Sequence, residues 1–312
     1  METPLAYFNG ALVPASSACL ALTDTGFIQG TAVTEQLRTF GGRIFHLDEH
    51  LARLERSLRI VDVDPGISRR RFAEIAEELV DHNHRLIEPG DDLGVSIFVT
   101  PGLYPGYSPP GPCRPTVCLH TYPLQFRLWA DKYRKGQALV VTRVRQVPAE
   151  CWPPELKCRS RMHYYLADRQ AATIEPGARA LLLDMQGFVT EASTANLVIY
   201  RAEEGLVSPP KSKSLPGISM AQVFELAGRL QIDTSQRDLR PEDVAAADEA
   251  MLTSTPLCLL PVTRLNGQPI GDGAPGPVFH RLLSAWSDYV GVDIVAQAER
   301  FAGRDRDSVV GN

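Results

Sequence analysis

Of the 32 basic residues in this 312-residue chain only five are lysines, Lys132, Lys135, Lys157, Lys211 and Lys213. A guanidinium stays charged and serves as an anion clamp, whereas an amine that sheds its proton is a nucleophile, so each lysine draws attention. Lys132 and Lys135 fall in a charged stretch, 127–136, that reads as solvated linker. Lys157 stands between a loop holding Pro148, Pro153 and Pro154 and a helix predicted over 161–172, whose Met162, Tyr165, Leu166 and Ala172 are expected to pack inward. An amine buried there loses proton affinity and suits Schiff-base chemistry; its position alone fits a surface lysine at a helix start at least as well. Glu191, in Gly187-Phe188-Val189-Thr190-Glu191-Ala192-Ser193, is a single acid at the end of an apolar strand. Such a carboxylate can hold a protonated pyridine nitrogen and keep that ring an electron sink; a solvated strand-end acid is the plain alternative. Leu215-Pro216-Gly217-Ile218-Ser219 opens a helix, where unbonded backbone N–H groups and a hydroxyl suit a phosphate, or simply cap the helix.

Other patterns carry less. Gly271-Asp272-Gly273-Ala274-Pro275-Gly276 follows a hairpin signal, with too little chain after it for a dinucleotide-binding unit. Gly217-Ile218-Ser219-Met220-Ala221 lacks the closing glycine of a nucleophile elbow. His46 and His50 have ligand spacing on a helix but no acid directly after the first, and His82 and His84 sit beside Asp81 at a helix end, so no metal site is expected.

The elements that must position these residues belong to an ordinary globular chain. Hydrophobic residues at 44% and charged residues at 22% exclude disorder and coiled coil, and a net charge of -5 offers nothing to phosphate backbones or anionic lipid. Apolar runs are too short to cross a bilayer, the N-terminus carries an acid where a secretory peptide carries a base, and the six cysteines are scattered, which reads as cytoplasmic. Hairpins are predicted around Asn9-Gly10, Gly41-Gly42 and Asn266-Gly267; strands at 93–100, 116–122, 138–144, 179–183, 188–190, 196–200, 250–254 and 259–265. Leu47, Leu51, Leu54, Leu58 and Val61 predict a helix, as do Phe72, Ile75, Ala76 and Leu79 over 68–80, the run to Leu230, 241–247, and Pro277 to Val290. The tail from Arg300 is expected to fray. The charged stretch divides the chain into an N-terminal domain, 1–127, a linker, 128–137, and a C-terminal domain, 138–312.

The Lys157, Glu191 and 215–219 segments occur in order with Asp24-Thr25-Gly26-Phe27-Ile28-Gln29-Gly30, Thr34-Glu35, His50-Leu51-Ala52-Arg53-Leu54, Ser254-Thr255 and Pro261-Val262. Together they resemble the class IV pyridoxal-phosphate aminotransferases, which include branched-chain and D-amino-acid aminotransferases and aminodeoxychorismate lyase. The resemblance implies an α+β, two-domain fold type IV enzyme, with a smaller N-terminal α/β sandwich, a larger C-terminal pseudo-barrel domain and pyridoxal 5'-phosphate between them. By the same resemblance Lys157 is the Schiff-base lysine that moves the proton, Glu191 pairs with the pyridine nitrogen, and Arg53 clamps the phosphate with the main chain of Ile218 and Ser219 and with Thr255. Tyr164 or Tyr165 is a further candidate for the ring oxygen.

Substrate contacts are expected from Thr34, Tyr107, Arg159 and Arg161. Pro256 lacks the N–H that branched-chain members use for the substrate carboxylate, and Pro101 stands where D-amino-acid and lyase members often carry arginine before Gly102. Arg159 and Arg161 are the replacements, with a solvent or dimer contact as the equal alternative. Gly106-Tyr107-Ser108-Pro109 resembles a loop that reaches a neighbouring active site, implying a homodimer. The implied activity is ping-pong transamination between an amino acid, nominally branched-chain, and a 2-oxo acid. Alternatives are a D-amino-acid aminotransferase, a lyase releasing pyruvate, and a binding module that keeps only the scaffold.

Overall fold

The computed structural model describes residues 2–107 and 114–304, so Ser108 and Pro109 of the expected loop, and the tail after Arg304, lie outside the described residues. The chain forms two compact units, one holding the residues up to Leu124 together with Leu156–Ser160 and the end from Gly303, the other holding Gln125–Glu155 and Arg161–Ala302.

The first unit contains β1 (Leu5–Phe8), β2 (Ala11–Pro14), α1 (Thr25–Ile28), β3 (Val33–Phe40), β4 (Arg43–Ile44), α2 (Leu47–Ile60), α3 (Arg69–His84), β5 (Leu93–Thr100) and β6 (Thr116–Pro123). Its sheet, in the order β2-β1-β6-β5-β3-β4, is antiparallel throughout. Alternation along the strands gives the sheet two different faces. Val33, Leu37, Val95, Ile97, Val99, Val117 and Leu119 form one, and pack with Leu51, Leu54 and Leu58 of α2 and Phe72, Ile75 and Leu79 of α3. The other is polar where the register aligns Gln36, Ser96 and His120. Helices therefore cover a single face, as their amphipathic spacing predicts. Asp92 fixes the β3–β4 turn by accepting the N–H groups of Gly41 and Gly42, both with positive φ.

The second unit contains α4 (Lys132–Lys135), β7 (Gln137–Val141), α5 (Met162–Ile174), β8 (Arg179–Leu183), β9 (Val189–Ala192), β10 (Asn196–Arg201), β11 (Gly205–Ser208), α6 (Ile218–Arg229), β12 (Thr234–Gln236), α7 (Pro241–Ala245), β13 (Glu249–Ser254), β14 (Cys258–Leu265), β15 (Gln268–Pro269), α8 (Pro277–Val290) and α9 (Ile294–Phe301). Among the described residues its sheet runs β12-β11-β10-β13-β14-β7-β8-β9, with β15 on β14. The β11–β12, β14–β7 and β7–β8 pairs are parallel and the rest antiparallel, giving the mixed, curved half-barrel of an α+β unit.

Several expectations change. Residues 128–137, read as linker, are folded: Trp129, Ala130 and Tyr133 are buried, and Tyr133 Oη donates to the Leu257 carbonyl at 2.7 Å. The charges of this stretch masked its aromatic anchors. Met162, Tyr165 and Leu166, expected inside, are 69%, 60% and 50% exposed, and Ala172 is exposed too. The inward stripe of α5 is Ala167 and Ala171 with Tyr164 at its edge, because small residues let the helix sit close on β7 and β8. The strands β11 and β12 and the helix α9 were not anticipated. Far from fraying at Arg300, α9 buries Ile294, Ala298 and Phe301, and Arg304 pairs with Asp91. No helix among the described residues is long and apolar enough to cross a membrane.

One buried acid organises the packing of α8. The Glu249 carboxylate accepts the N–H groups of Val278 and Phe279, both at 2.8 Å, so it caps a helix whose preceding Gly276 has no side chain to do so. Glu249→Ala is expected to destabilise the second unit by about 2 kcal/mol, the upper range for losing a cap, seen as a lower denaturant midpoint. An unchanged midpoint would show that the cap contributes nothing.

Candidate active site

In the first unit Lys157 lies on an extended segment that adds to the free edge of β3. Thr34 N–H donates to the Lys157 carbonyl at 3.0 Å, Arg159 N–H donates to the Ala32 carbonyl at 2.8 Å, and Cys158 bridges Val33. Alternation then puts Lys157 and Arg159 on one side of the segment and Cys158 on the other. The Lys157 N–H also donates to Ser57 Oγ of α2 at 3.1 Å, so the backbone of the half-buried lysine is tied to both a strand and a helix.

Beneath the α2 side of β3 lies a fully buried ion cluster. Glu35 interrupts the apolar face of β3 and receives Arg53 in a two-pronged pair, Nε to Oε1 at 2.7 Å and Nη2 to Oε2 at 2.8 Å. His50, one turn earlier on α2, places Nδ1 2.8 Å from Oε2. Burial alone would raise the Glu35 pKa, but Arg53 and then His50 more than reverse it and hold the carboxyl well below the usual range. Burial is also the main reason the His50 pKa falls, with the charges of Arg53 and Lys157 adding to it against the pull of Glu35. Lys157 is thus close enough for His50 to feel its charge. His50 Nε2 is buried without a hydrogen-bond partner among the described residues. The helix position of Arg53 suggested a surface residue but for the resemblance; it is 3% exposed. Glu35 and His50 received no role from sequence, although an acid at a core-facing strand position was the signal.

The remaining expected residues of the first unit are placed as follows. Thr34 donates its hydroxyl to the Ile97 carbonyl at 2.9 Å, inside the sheet. Tyr107 is largely exposed, next to Tyr104. Arg159 extends over the polar sheet face, where Nη2 donates to Ser96 Oγ at 2.9 Å.

In the second unit Glu191 is buried on β9, not solvated at a strand end. Its Oε1 accepts the Tyr164 hydroxyl at 2.5 Å and the Gln146 amide at 2.7 Å. Burial and then the Glu191 charge push the Tyr164 pKa well up, so the phenol remains a donor. Of the two tyrosines only Tyr164 turns inward; Tyr165 is exposed. Gln146, in the loop after β7, went unnoticed because nothing in its sequence neighbourhood marks it. Arg161 is the residue preceding α5, and its charge reaches His163 and Tyr164.

Ile218 and Ser219 open α6 after Gly217, and no side chain caps that N-terminus. Asn196 Nδ2 donates to the Leu215 carbonyl at 2.9 Å and fixes the approach. A Cβ at Gly217 would lie 2.0 Å from Asn196 Oδ1, so glycine is needed for this close approach. Thr255 lies in the β13–β14 turn, whose far end is set by Cys258 at φ 60 and by Tyr133 on Leu257. Each unit by itself offers donor types that suit a phosphorylated pyridine: the first a buried guanidinium, Arg53, for an anion; the second the uncapped N–H groups of α6 and the Thr255 hydroxyl for an anion, and the buried Glu191 carboxylate for a ring nitrogen.

Comparison with known proteins is consistent with this chemistry. The family profile described as amino-transferase class IV matches residues 32–265. The D-alanine aminotransferase of Bacillus licheniformis is 29% identical over 279 residues, 89% of this chain and 94% of that protein. A T.th. branched-chain amino acid aminotransferase with pyridoxamine 5'-phosphate superposes with a TM-score of 0.83 at 25% identity, covering 93% of this chain and 95% of that one. The branched-chain enzyme of Escherichia coli, at 22% identity and a TM-score of 0.80 over 93% and 94% of the two chains, shares the fold. The chain belongs to the class IV aminotransferases, a family of pyridoxal-phosphate enzymes, and is a transaminase of fold type IV.

The ion cluster sets the acid response of the first unit. His50 is held neutral, so its stability contribution is complete above the ordinary histidine pKa and falls as pH drops below about 6.5. The Glu35 contribution is complete above the ordinary glutamate pKa and falls as pH drops below about 4.3 towards its depressed folded value. Glu35→Gln leaves the Arg53 charge buried without its partner and is expected to cost about 3–5 kcal/mol, while His50→Asn should remove the early part of the acid loss. Unfolding titrations between pH 4 and 8 measure both; an unaltered profile in His50→Asn contradicts the assignment.

Proposed function

We propose that the chain carries pyridoxal 5'-phosphate on Lys157 and moves an amino group from an amino acid, nominally branched-chain, to a 2-oxo acid by a ping-pong route. The observation that carries this reading is the buried Glu191, whose carboxylate is oriented by two neutral donors, Tyr164 and Gln146. Neutral donors orient the charge without cancelling it, as service to a pyridinium requires. Arg53, kept in place by Glu35, takes phosphate oxygens; the N–H groups of Ile218 and Ser219 and the Thr255 hydroxyl take the others. The bound cofactor supplies a conjugated ring that receives the electrons of the broken Cα–H bond. Lys157 would hold the cofactor and supply the amine that moves the substrate α-proton, and its backbone is tied to Thr34 and Ser57.

The likeness to a D-alanine aminotransferase supports D-amino acids as a second class of donor. Exposed apolar side chains support a homodimer: Leu22, Phe27, Ile28 and Tyr107 on the first unit, and Met162, Tyr165 and Leu166 on the second. The free thiols of Cys19, Cys118, Cys151, Cys158 and Cys258 fit the cytoplasm.

Borohydride reduction of the holo-protein followed by peptide mapping is expected to fix the cofactor to Lys157, and Lys157→Ala to abolish turnover; label on another residue refutes the assignment. A panel of L- and D-amino acids, read by the cofactor spectrum, identifies the donor and its hand. Tyr164→Phe keeps the ring and removes one Glu191 donor, so kcat is expected to fall about tenfold. For assembly, Phe27→Glu is expected to shift light scattering from dimer to monomer, and a dimeric variant argues against that surface.

A further inference from the structure

The polar face of the first unit's sheet contains a hydrogen-bond relay that ends on Arg159. The Tyr122 ring lies against Gly94, where a Cβ would come within 2.4 Å of it, so the absence of a side chain at Gly94 makes room for the phenol. Tyr122 Oη lies 2.8 Å from Gln36 Oε1 and donates to it, and Gln36 Nε2 donates to Ser96 Oγ at 2.7 Å and to the Glu35 carbonyl at 3.0 Å. The Glu35 carbonyl can only accept, which fixes the orientation of the amide and the direction of every bond in the relay. Ser96, 1% exposed, receives Gln36 and the guanidinium of Arg159 together. A hydroxyl accepts twice and donates once, so Ser96 is left with its own proton to offer. His120, beside Ser96 in the register, has a lowered pKa because of burial and the Arg159 charge, and is neutral at neutral pH. Arg159 donates to Ser96 through Nη2, its residue is exposed, and it shares the Lys157 side of the edge segment.

The geometry points to Arg159, set by Ser96, Gln36 and Tyr122, as the anchor of the substrate carboxylate, and hence to a site that selects amino acids and oxo acids over uncharged amino compounds. This rests on the function proposed above, since it names what holds the acid group of the substrate whose amine meets Lys157. A planar guanidinium binds a carboxylate in two-pronged fashion, and the relay limits the rotamers it must lose on doing so. Arg159 touches the substrate; Ser96, Gln36 and Tyr122 are positioning residues.

The test pairs an acid with its amide. 4-Methylvaleric acid, which has no amino group to react, and its carboxamide are titrated calorimetrically into the holo-protein. Leucine and leucinamide, or the D forms if the donor panel selects them, are compared as donors. Arg159→Ala is expected to weaken the acid by about tenfold to a hundredfold, leave the amide unchanged, and raise KM more than it lowers kcat. Ser96→Ala, which removes a single oxygen, is expected to lower the acid-over-amide ratio several-fold and serves if Arg159→Ala does not fold. Arg159→Lys should recover part of the ratio. An unchanged acid-over-amide ratio in Arg159→Ala, or in Ser96→Ala where only that variant folds, overturns the inference. A wild-type holo-protein whose spectrum no amino acid alters overturns instead the function on which it rests.

Discussion

Two backbone hydrogen bonds and a third to a serine hydroxyl decide where Lys157 and Arg159 lie in the first unit. Residues 157 and 159 exchange bonds with residues 32 and 34, and Ser57 secures the N–H of Lys157. The chain enters the first unit at Leu156, adds a short strand to β3 and leaves after Ser160. That excursion gives Lys157 and Arg159 a common side through strand alternation alone, with no contact of their own required. A one-residue slip would exchange them for Cys158, so the register alone decides which side chains this side presents.

The register in turn depends on what holds β3 against α2. Most of that interface is ordinary apolar packing, yet its centre is Glu35 with Arg53 and His50, all three buried. Ion pairs of this kind are weak evidence for stability, because desolvation offsets most of the attraction. Their value lies in specificity. Two bonds from a planar guanidinium to one carboxylate fix the rotation and height of α2 over β3, which apolar contacts alone leave adjustable. The same helix presents Ser57 to Lys157, so an error in seating α2 would pass directly to the Lys157 backbone.

Much of this was legible in the sequence because it follows from period and punctuation. The hairpins at Asn9-Gly10 and Asn266-Gly267, the helices α2, α3, α6 and α8, and the order of the Lys157, Glu191 and 215–219 segments are local signals. What escaped depends on partners far along the chain. Tyr133 looks like part of a charged linker until Leu257 is known to receive its hydroxyl. Met162, Tyr165 and Leu166 were placed inside by hydrophobicity, whereas Ala167 and Ala171 won the inner face by being small enough for close approach to the sheet. Gln146 and Ser96 are unremarkable residues whose importance comes only from the acid and the guanidinium they meet. The acid at position 35 was visible as a motif letter, but its burial was the larger clue.

Glu35 and Glu191 illustrate how environment divides the work of identical side chains. Both are buried carboxylates on strands. Glu35 meets a guanidinium through both oxygens, so its charge is used up within the scaffold and its proton affinity collapses. Glu191 Oε1 accepts from a phenol and an amide, neutral donors that align it. A search for functional acids by depth of burial alone would choose Glu35. The kind of donor separates the two: a guanidinium grips Glu35 through both oxygens, whereas a phenol and an amide donate to one oxygen of Glu191, the arrangement that supports the pyridinium role proposed for it.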